Sequence, residues 1–281
     1  MRIAIISIFF LFAGMPTFAQ DKNALFCEAE DSLKIYGSQI LKGTTDEIKH
    51  AANTQFIRLL KETLKNPNSF EYKFDSLLMI ARLEPDDKAF RLFNWHLPLS
   101  NGTYQYYGII QVLNTKTSQY STYEFIDKTS EIAVPQTEKL TYEKWYGAHY
   151  YKVITTKDNG KKYYTLLGWK GNNLLTQMKV IDCLTIDSKW KPSFADGSFK
   201  AGKKPAKRIV FEYSTTVSMS LKYTDKGYIV YDHLAPKEDG LKGQYQYYGP
   251  DFSYDALTFE KGKWIKVEDF DAKNDKIKFS G

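Results

Sequence analysis

Residues 102–108 read Gly102-Thr103-Tyr104-Gln105-Tyr106-Tyr107-Gly108, and residues 243–249 read Gly243-Gln244-Tyr245-Gln246-Tyr247-Tyr248-Gly249. The two phrases differ at one letter. Leu92-Phe93-Asn94-Trp95-His96-Leu97-Pro98 precedes the first, and Ile229-Val230-Tyr231-Asp232-His233-Leu234-Ala235-Pro236 precedes the second. Each unit reads as a strand, His-Leu, a proline-bearing turn and a tyrosine-rich strand: one β-hairpin written twice, at 91–113 and 228–260. Residues two apart on a strand share a face, which groups Tyr104 with Tyr106 and Tyr245 with Tyr247.

The same texture fills the chain from residue 68 to 281. Short runs of Tyr, Phe, Val, Ile and Thr alternate with turn signals such as Asn101-Gly102, Asn159-Gly160, Gly171-Asn172, Asp225-Lys226-Gly227 and Lys261-Gly262. Such loops join adjacent antiparallel strands, because left-handed turn residues match strand twist. Candidate strands include 103–113, 162–169, 174–186, 207–214, 227–233, 244–248 and 253–260. The expected fold is all-β: an antiparallel meander, propeller-like or a barrel or sandwich. A propeller blade takes roughly 40–50 residues, which suits a long-period repeat. One short helix is expected near Glu138–Tyr146, ended by Gly147.

Ahead of this region, residues 20–67 read as a helical hairpin. Phe26, Ala29, Leu33, Tyr36 and Ile40 recur every three or four positions, one face of a helix. Gly43 is suited to end it in the left-handed conformation. Thr44 to Glu47 offers a capping box for a second helix, whose face is Ile48, Ala52, Phe56, Leu59 and Thr63. Asn66-Pro67 stops it, since proline cannot donate to the helix ladder.

Residues 1–19 read as an export signal. Arg2 is followed by an apolar run from Ile3 to Phe12, and Thr17 and Ala19 place small residues before a cut at Gln20. The run is short for a membrane span, and no later stretch is long and apolar enough to be one. The expected location is the periplasm, the outer membrane's surface or the medium. Export leaves no role for nucleic acid, despite the run Lys203-Lys204-Pro205-Ala206-Lys207-Arg208, which reads as a solvated loop. A net charge of +6 allows only weak attraction to acidic glycans or membrane surfaces. Cys27 and Cys183 either form a bridge, which an oxidising compartment permits, or remain two thiols.

Tyr163-Tyr164-Thr165-Leu166-Leu167-Gly168-Trp169-Lys170-Gly171-Asn172-Asn173, Arg208 to Tyr213, Tyr231 to Leu234 and Tyr248-Gly249-Pro250-Asp251 together resemble an uncharacterised family of exported proteins from Bacteroidota-type bacteria. The resemblance spans roughly residues 70–270. It implies an envelope or secreted location and carries no activity, cofactor or catalytic residue.

Motifs for catalysis are few. Four histidines occur, His50, His96, His149 and His233, without the local spacing of a zinc site. Gly-x-Ser-x-Gly is absent. Asp232, Asp251 and Asp255 could supply paired acids for sugar hydrolysis, yet aspartates in turns commonly bond their own backbone. Asp251-Phe252-Ser253-Tyr254-Asp255 places oxygens at alternating positions but lacks the rest of a calcium loop. No catalytic residue, metal site or cofactor is therefore expected.

The aromatic load, 16% of residues, favours binding, because Tyr and Trp rings stack on sugars or anchor peptides. The candidate ligand-binding residues are Trp95, His96, Tyr104, Tyr106, Asp232, His233, Tyr245 and Tyr247. The expected function is non-catalytic binding of a glycan, peptide or envelope protein. The alternatives are a polysaccharide hydrolase with dispersed acids and a structural assembly subunit.

Overall fold

The computed structural model describes residues 23–195, 197, 199–200, 205–267 and 270. The expected export signal lies outside them. Helices α1 (Ala24–Lys42) and α2 (Asp46–Leu64) form the N-terminal hairpin. Thr45, rather than Thr44, caps α2 by accepting from the Ile48 amide at 3.3 Å. Gly43 is not left-handed: its φ is −54°. A Cβ there would stand 2.6 Å from the Gln39 carbonyl oxygen, so tight packing at the helix junction is what requires glycine.

The first sheet runs in chain order: β1 (Ala81–Leu83), β2 (Phe90–Pro98), β3 (Tyr104–Asn114) and β4 (Gln119–Phe125). The second holds β5 (Leu140–Thr141), β6 (His149–Asp158), β7 (Lys161–Gly171), β8 (Thr176–Ile186) and β9 (Pro192–Phe194), ordered β5-β9-β8-β7-β6. β10 (Phe199–Lys200) starts the third sheet, and β11 (Ile209–Ser214) returns to pair with β8. β12 (Leu221–Tyr223), β13 (Ile229–Pro236), β14 (Tyr248–Glu260) and β15 (Lys263–Val267) complete the third, ordered β10-β15-β14-β13-β12. The named strands pair antiparallel, apart from the two-residue parallel contact of β10 with β15. No sheet closes into a barrel among the described residues. The short helix expected near Glu138–Tyr146 is instead β5 and turns.

Three apolar clusters join these layers. Phe93, Trp95, Leu97 and Ile109 of the first sheet pack on Phe26, Leu33, Ile40, Phe56 and Leu60 of the helices. On the sheet's other face, Phe90, Leu92, Ile110 and Val112 meet Leu166, Val180 and Leu184 of the second sheet. The second sheet's remaining face, with Leu167, Ile181, Cys183 and Tyr213, meets Leu221, Ile229, Tyr231, Leu257 and Trp264 of the third. The order is therefore helices, sheet, sheet, sheet. Each fully buried ring or branched side chain contributes about 1.5–3 kcal/mol. Strands covered on both faces need apolar residues at successive positions. Leu92-Phe93 and Leu166-Leu167 follow that rule, while the polar Arg91 and Asn94 of β2 are buried with hydrogen bonds to Gln111 and the Tyr107 carbonyl. Cys27 on α1 is exposed, and Cys183 is buried between the second and third sheets; both are thiols, not a bridge. Among the described residues, no helix is long and apolar enough to cross a membrane.

Arg208 departs from the solvated-loop reading of its basic run. Its side chain has no exposed surface and meets the equally buried Asp182 at 3.2 Å. It also donates to the carbonyls of Pro135, Glu138 and Phe194. Asp182 further accepts from the Tyr150 hydroxyl and the Cys183 amide. Saturating the carboxylate and guanidinium in this way offsets the cost of removing both from water.

Candidate functional site

Both copies of the doubled phrase lie in antiparallel hairpins, but they take different backbone shapes. In the first, Pro98 pairs with Tyr104 and His96 with Tyr106, so the tyrosines are in the strand. In the second, Pro236 pairs with Tyr248, and Tyr245–Tyr247 form a 3-10 turn ahead of β14. The expected strand at 244–248 is thus corrected to a turn. The cause is the linker: Gly102 follows Leu97 by five positions, whereas Gly243 follows Leu234 by nine. The added length pushes the second phrase off the ladder.

The eight candidate residues separate accordingly. Trp95 is 1% exposed; it stacks on Tyr107 and donates its Nε1 hydrogen to Asn53 at 2.8 Å. That ring belongs to the core and is not open to a ligand. Tyr106 is also buried, donating its hydroxyl to the Gly171 carbonyl at 3.1 Å. His96 and Tyr104 are half-buried where β2 and β3 meet β6 and β7. There His96 stands 5.1 Å from His149 and 5.4 Å from Trp169, centroid to centroid, and Tyr104 stands 5.1 Å from Trp169. Gly171 leaves room for this cluster, since a Cβ would fall 2.3 Å from the Tyr104 ring. Burial pushes His96 down to about 4, helped by His149, and lowers His149 too. Beneath them the buried Lys170 ammonium lies over the rings of Tyr106 and Tyr146 at 4.3 and 4.7 Å.

Of the other four, Asp232 and His233 lie on β13 of the third sheet, and Tyr245 and Tyr247 in the 3-10 turn that leads into β14. The second sheet lies between His233 and His96, so the two histidines do not share a pocket. Asp232 accepts from the Ser220 amide at 2.7 Å, a structural bond. The ladder of β13 and β14 breaks at His233: pairing runs from Asp232↔Tyr254 to Leu234↔Pro250, leaving Asp251, Phe252 and Ser253 bulged out. Phe252 takes a φ of 71° and is 95% exposed. An aromatic residue in that backbone region is strained, and such strain collects at functional sites. Asp251 braces the bulge, accepting from the Ser253 amide and hydroxyl at 3.0 and 2.6 Å. His233 Nδ1 lies 2.7 Å from Asp255, whose other oxygen meets Lys266 at 2.7 Å. Hydrogen bonds from Lys266 and His233 hold the Asp255 carboxyl below its usual range against an opposing burial effect.

Tyr245 and Tyr247 in the turn before β14, and Tyr254 on β14 after the bulge, are 44%, 43% and 41% exposed. Tyr248 secures the loop by accepting from the Gly243 amide at 2.9 Å and packing on Tyr245. The hairpin therefore carries four open rings, Tyr245 and Tyr247 in its turn, Phe252 in the bulge and Tyr254 on β14, while Asp255, the strand neighbour of Tyr254, points to the opposite face and joins His233 and Lys266 there. Sequence reading missed Phe252, Tyr254 and Lys266. The Asp-Phe-Ser turn was their one visible mark, since Asp and Ser are residues that bend a strand out of its ladder. No family model matches the chain, and neither a curated protein nor a solved structure does.

Proposed function

We propose that this chain is an exported, non-catalytic binding protein that holds a glycan on the hairpin of β13 and β14. The observation carrying the reading is the set of four solvent-facing rings, Tyr245, Tyr247, Phe252 and Tyr254, on one bulged hairpin. Aromatic faces stack on the C–H faces of sugars, and neighbouring polar groups bond the hydroxyls. The exposed large hydrophobic residues of this hairpin are rings, with no exposed Leu or Ile among them. That composition favours a sugar over an aliphatic protein interface. The apolar run at Ile3 to Phe12 and the resemblance to exported proteins support the location.

The acids weigh against the hydrolase alternative. Asp232 serves Ser220, Asp251 serves its own turn, and Asp255 serves His233 and Lys266. Hydrolysis of a glycosidic bond needs two carboxyls facing each other across the sugar.

The test is a glycan array probed with residues 20–281, followed by titration of any retained glycan. Phe252→Ala and the pair Tyr245→Ala with Tyr247→Ala are expected to weaken binding about tenfold or more, at roughly 1–2 kcal/mol per anchoring ring. Unchanged affinity in both variants overturns the reading.

A further inference from the structure

Among the described residues, β4 is the long sheet edge left without protection. An open edge presents a row of unpaired N–H and C=O groups, and native proteins blunt such edges with short strands, bulges, lysines, prolines or a covering segment. The other edges are blunted in these ways. β1, β5, β10 and β12 are two or three residues long. β6 carries Lys152, Lys157 and a register shift between Tyr150 and Lys152, and β11 lies against the Tyr245–Tyr247 turn. β4 has seven residues without Pro or Lys, and its register on β3 is unbroken. Backbone alternation identifies the open groups. Leu113 donates to the Ala89 carbonyl at the start of β2, so the odd-numbered residues of β3 bond β2 and the even-numbered ones bond β4. Their register partners on β4 include Ser121, Tyr123 and Phe125, which leaves the N–H and C=O of Tyr120, Thr122 and Glu124 pointing outward. These groups have no backbone partner among the described residues. The edge is closed only at Ile126, which donates to the Tyr142 carbonyl at 2.7 Å and accepts from the Trp145 amide at 2.9 Å.

We propose that a second copy of this chain adds its own β4 to this edge, antiparallel about a two-fold axis at Thr122, so that the first sheets of the two copies become one. The edge is self-complementary in that register. Thr122 faces Thr122 of the other copy and Tyr120 faces Glu124, each pair exchanging two backbone bonds. Glu124, the one charged residue of the strand, therefore meets Tyr120 rather than its own counterpart. Charges beside the strand also match. Lys61 reaches Glu124 at 3.0 Å, while Tyr120 stacks on Phe70, the neighbour of the exposed Glu71. The register brings Lys61 of each copy toward Glu71 of the other, which favours a second copy over an unrelated strand. Closure at Ile126 confines the pairing to Tyr120–Glu124. The dimer is accordingly expected to be reversible and to form as concentration rises.

The experiment measures the mass of residues 20–281 in solution by sedimentation equilibrium across a concentration series, with amide exchange at the two ends of that series. A monomer–dimer equilibrium is expected. Exchange at Tyr120, Thr122 and Glu124 is expected to slow as dimer forms, while Ser121 and Tyr123, already bonded to β3, stay protected throughout. Thr122→Pro deletes an outward N–H and leaves the β3 ladder intact, so dimerisation is expected to weaken about tenfold or more. Should that variant fold poorly, Thr122→Lys decides: it keeps the N–H and sets two like charges opposite each other on the axis, with the same loss expected. A chain that stays monomeric at every concentration overturns the proposal. So does a dimer that both variants leave intact, or exchange at Tyr120, Thr122 and Glu124 that does not change with concentration.

Discussion

Asp182 and Arg208 face each other at 3.2 Å inside the second sheet, with no exposed side-chain surface on either. Their shared bonds tie β8 to the Pro135–Glu138 loop and to β9. Removing one partner strands a charge in the core. Arg208→Met and Asp182→Asn are each expected to lower unfolding free energy by about 3–5 kcal/mol. The double variant Asp182→Leu with Arg208→Met is expected to cost less than the sum of the two singles. Urea unfolding of the three variants checks this; losses under about 1 kcal/mol for both singles would contradict it.

Lys170 gives the fold a pH dependence of known sign. It is 4% exposed, and burial pulls its ammonium down to about 8, with Asp127 opposing. Between pH 8 and about 10 the unfolded chain still holds the proton that the folded chain has released. Stability contributed at this position therefore rises with pH across that window. The stability of the native chain relative to Lys170→Met is expected to increase by roughly 2 kcal/mol from pH 8 to 9.5. Taking the difference cancels the tyrosines common to both chains. A flat or falling difference would show the ammonium to be better solvated than its burial implies.

The two copies of the phrase are expected to differ in amide exchange. Tyr107 to Ile110 lie in a ladder inside the first sheet, whereas Tyr245 and Gln246 lie in an exposed turn. Exchange at the first set is expected to need opening of the whole sheet, and at the second only local fraying. Equal protection would place both copies in strands.

The proposed export predicts a defined N-terminus. Protein recovered from the envelope or medium of a producing cell is expected to begin at Gln20. Mass spectrometry of an intact chain retaining Arg2 would contradict this.

Local chemistry was legible in the sequence where short-range forces decide. The three- and four-residue spacing of Phe26, Ala29, Leu33, Tyr36 and Ile40 named α1. Asn159-Gly160 and Lys261-Gly262 named two hairpin turns, whose residues all have positive φ. Layering was not legible, because a strand such as Phe90–Pro98, with Arg91, Asn94 and His96 among its apolar residues, does not show which of its faces is covered or by what. The fate of the doubled phrase was hidden for a related reason. Tyr245 and Tyr247 match Tyr104 and Tyr106 letter for letter, but the linker before them sets the register. Half of the candidate residues consequently reach the exposed hairpin, while Trp95 and Tyr106 fill cores. Arg208 misled most: a basic run reads as surface until Asp182, 26 residues earlier, is seen to share its pocket.

The most direct measurement is a carbon-13 spectrum of the Tyr and Phe rings, titrated with a glycan that the array retains. The predicted result is that the largest shifts fall on Tyr245, Tyr247, Phe252 and Tyr254, with the rings of Tyr106 and Tyr150 unmoved. Shifts centred on any other face, or an array that retains no glycan, would contradict the assignment of this hairpin as the binding surface.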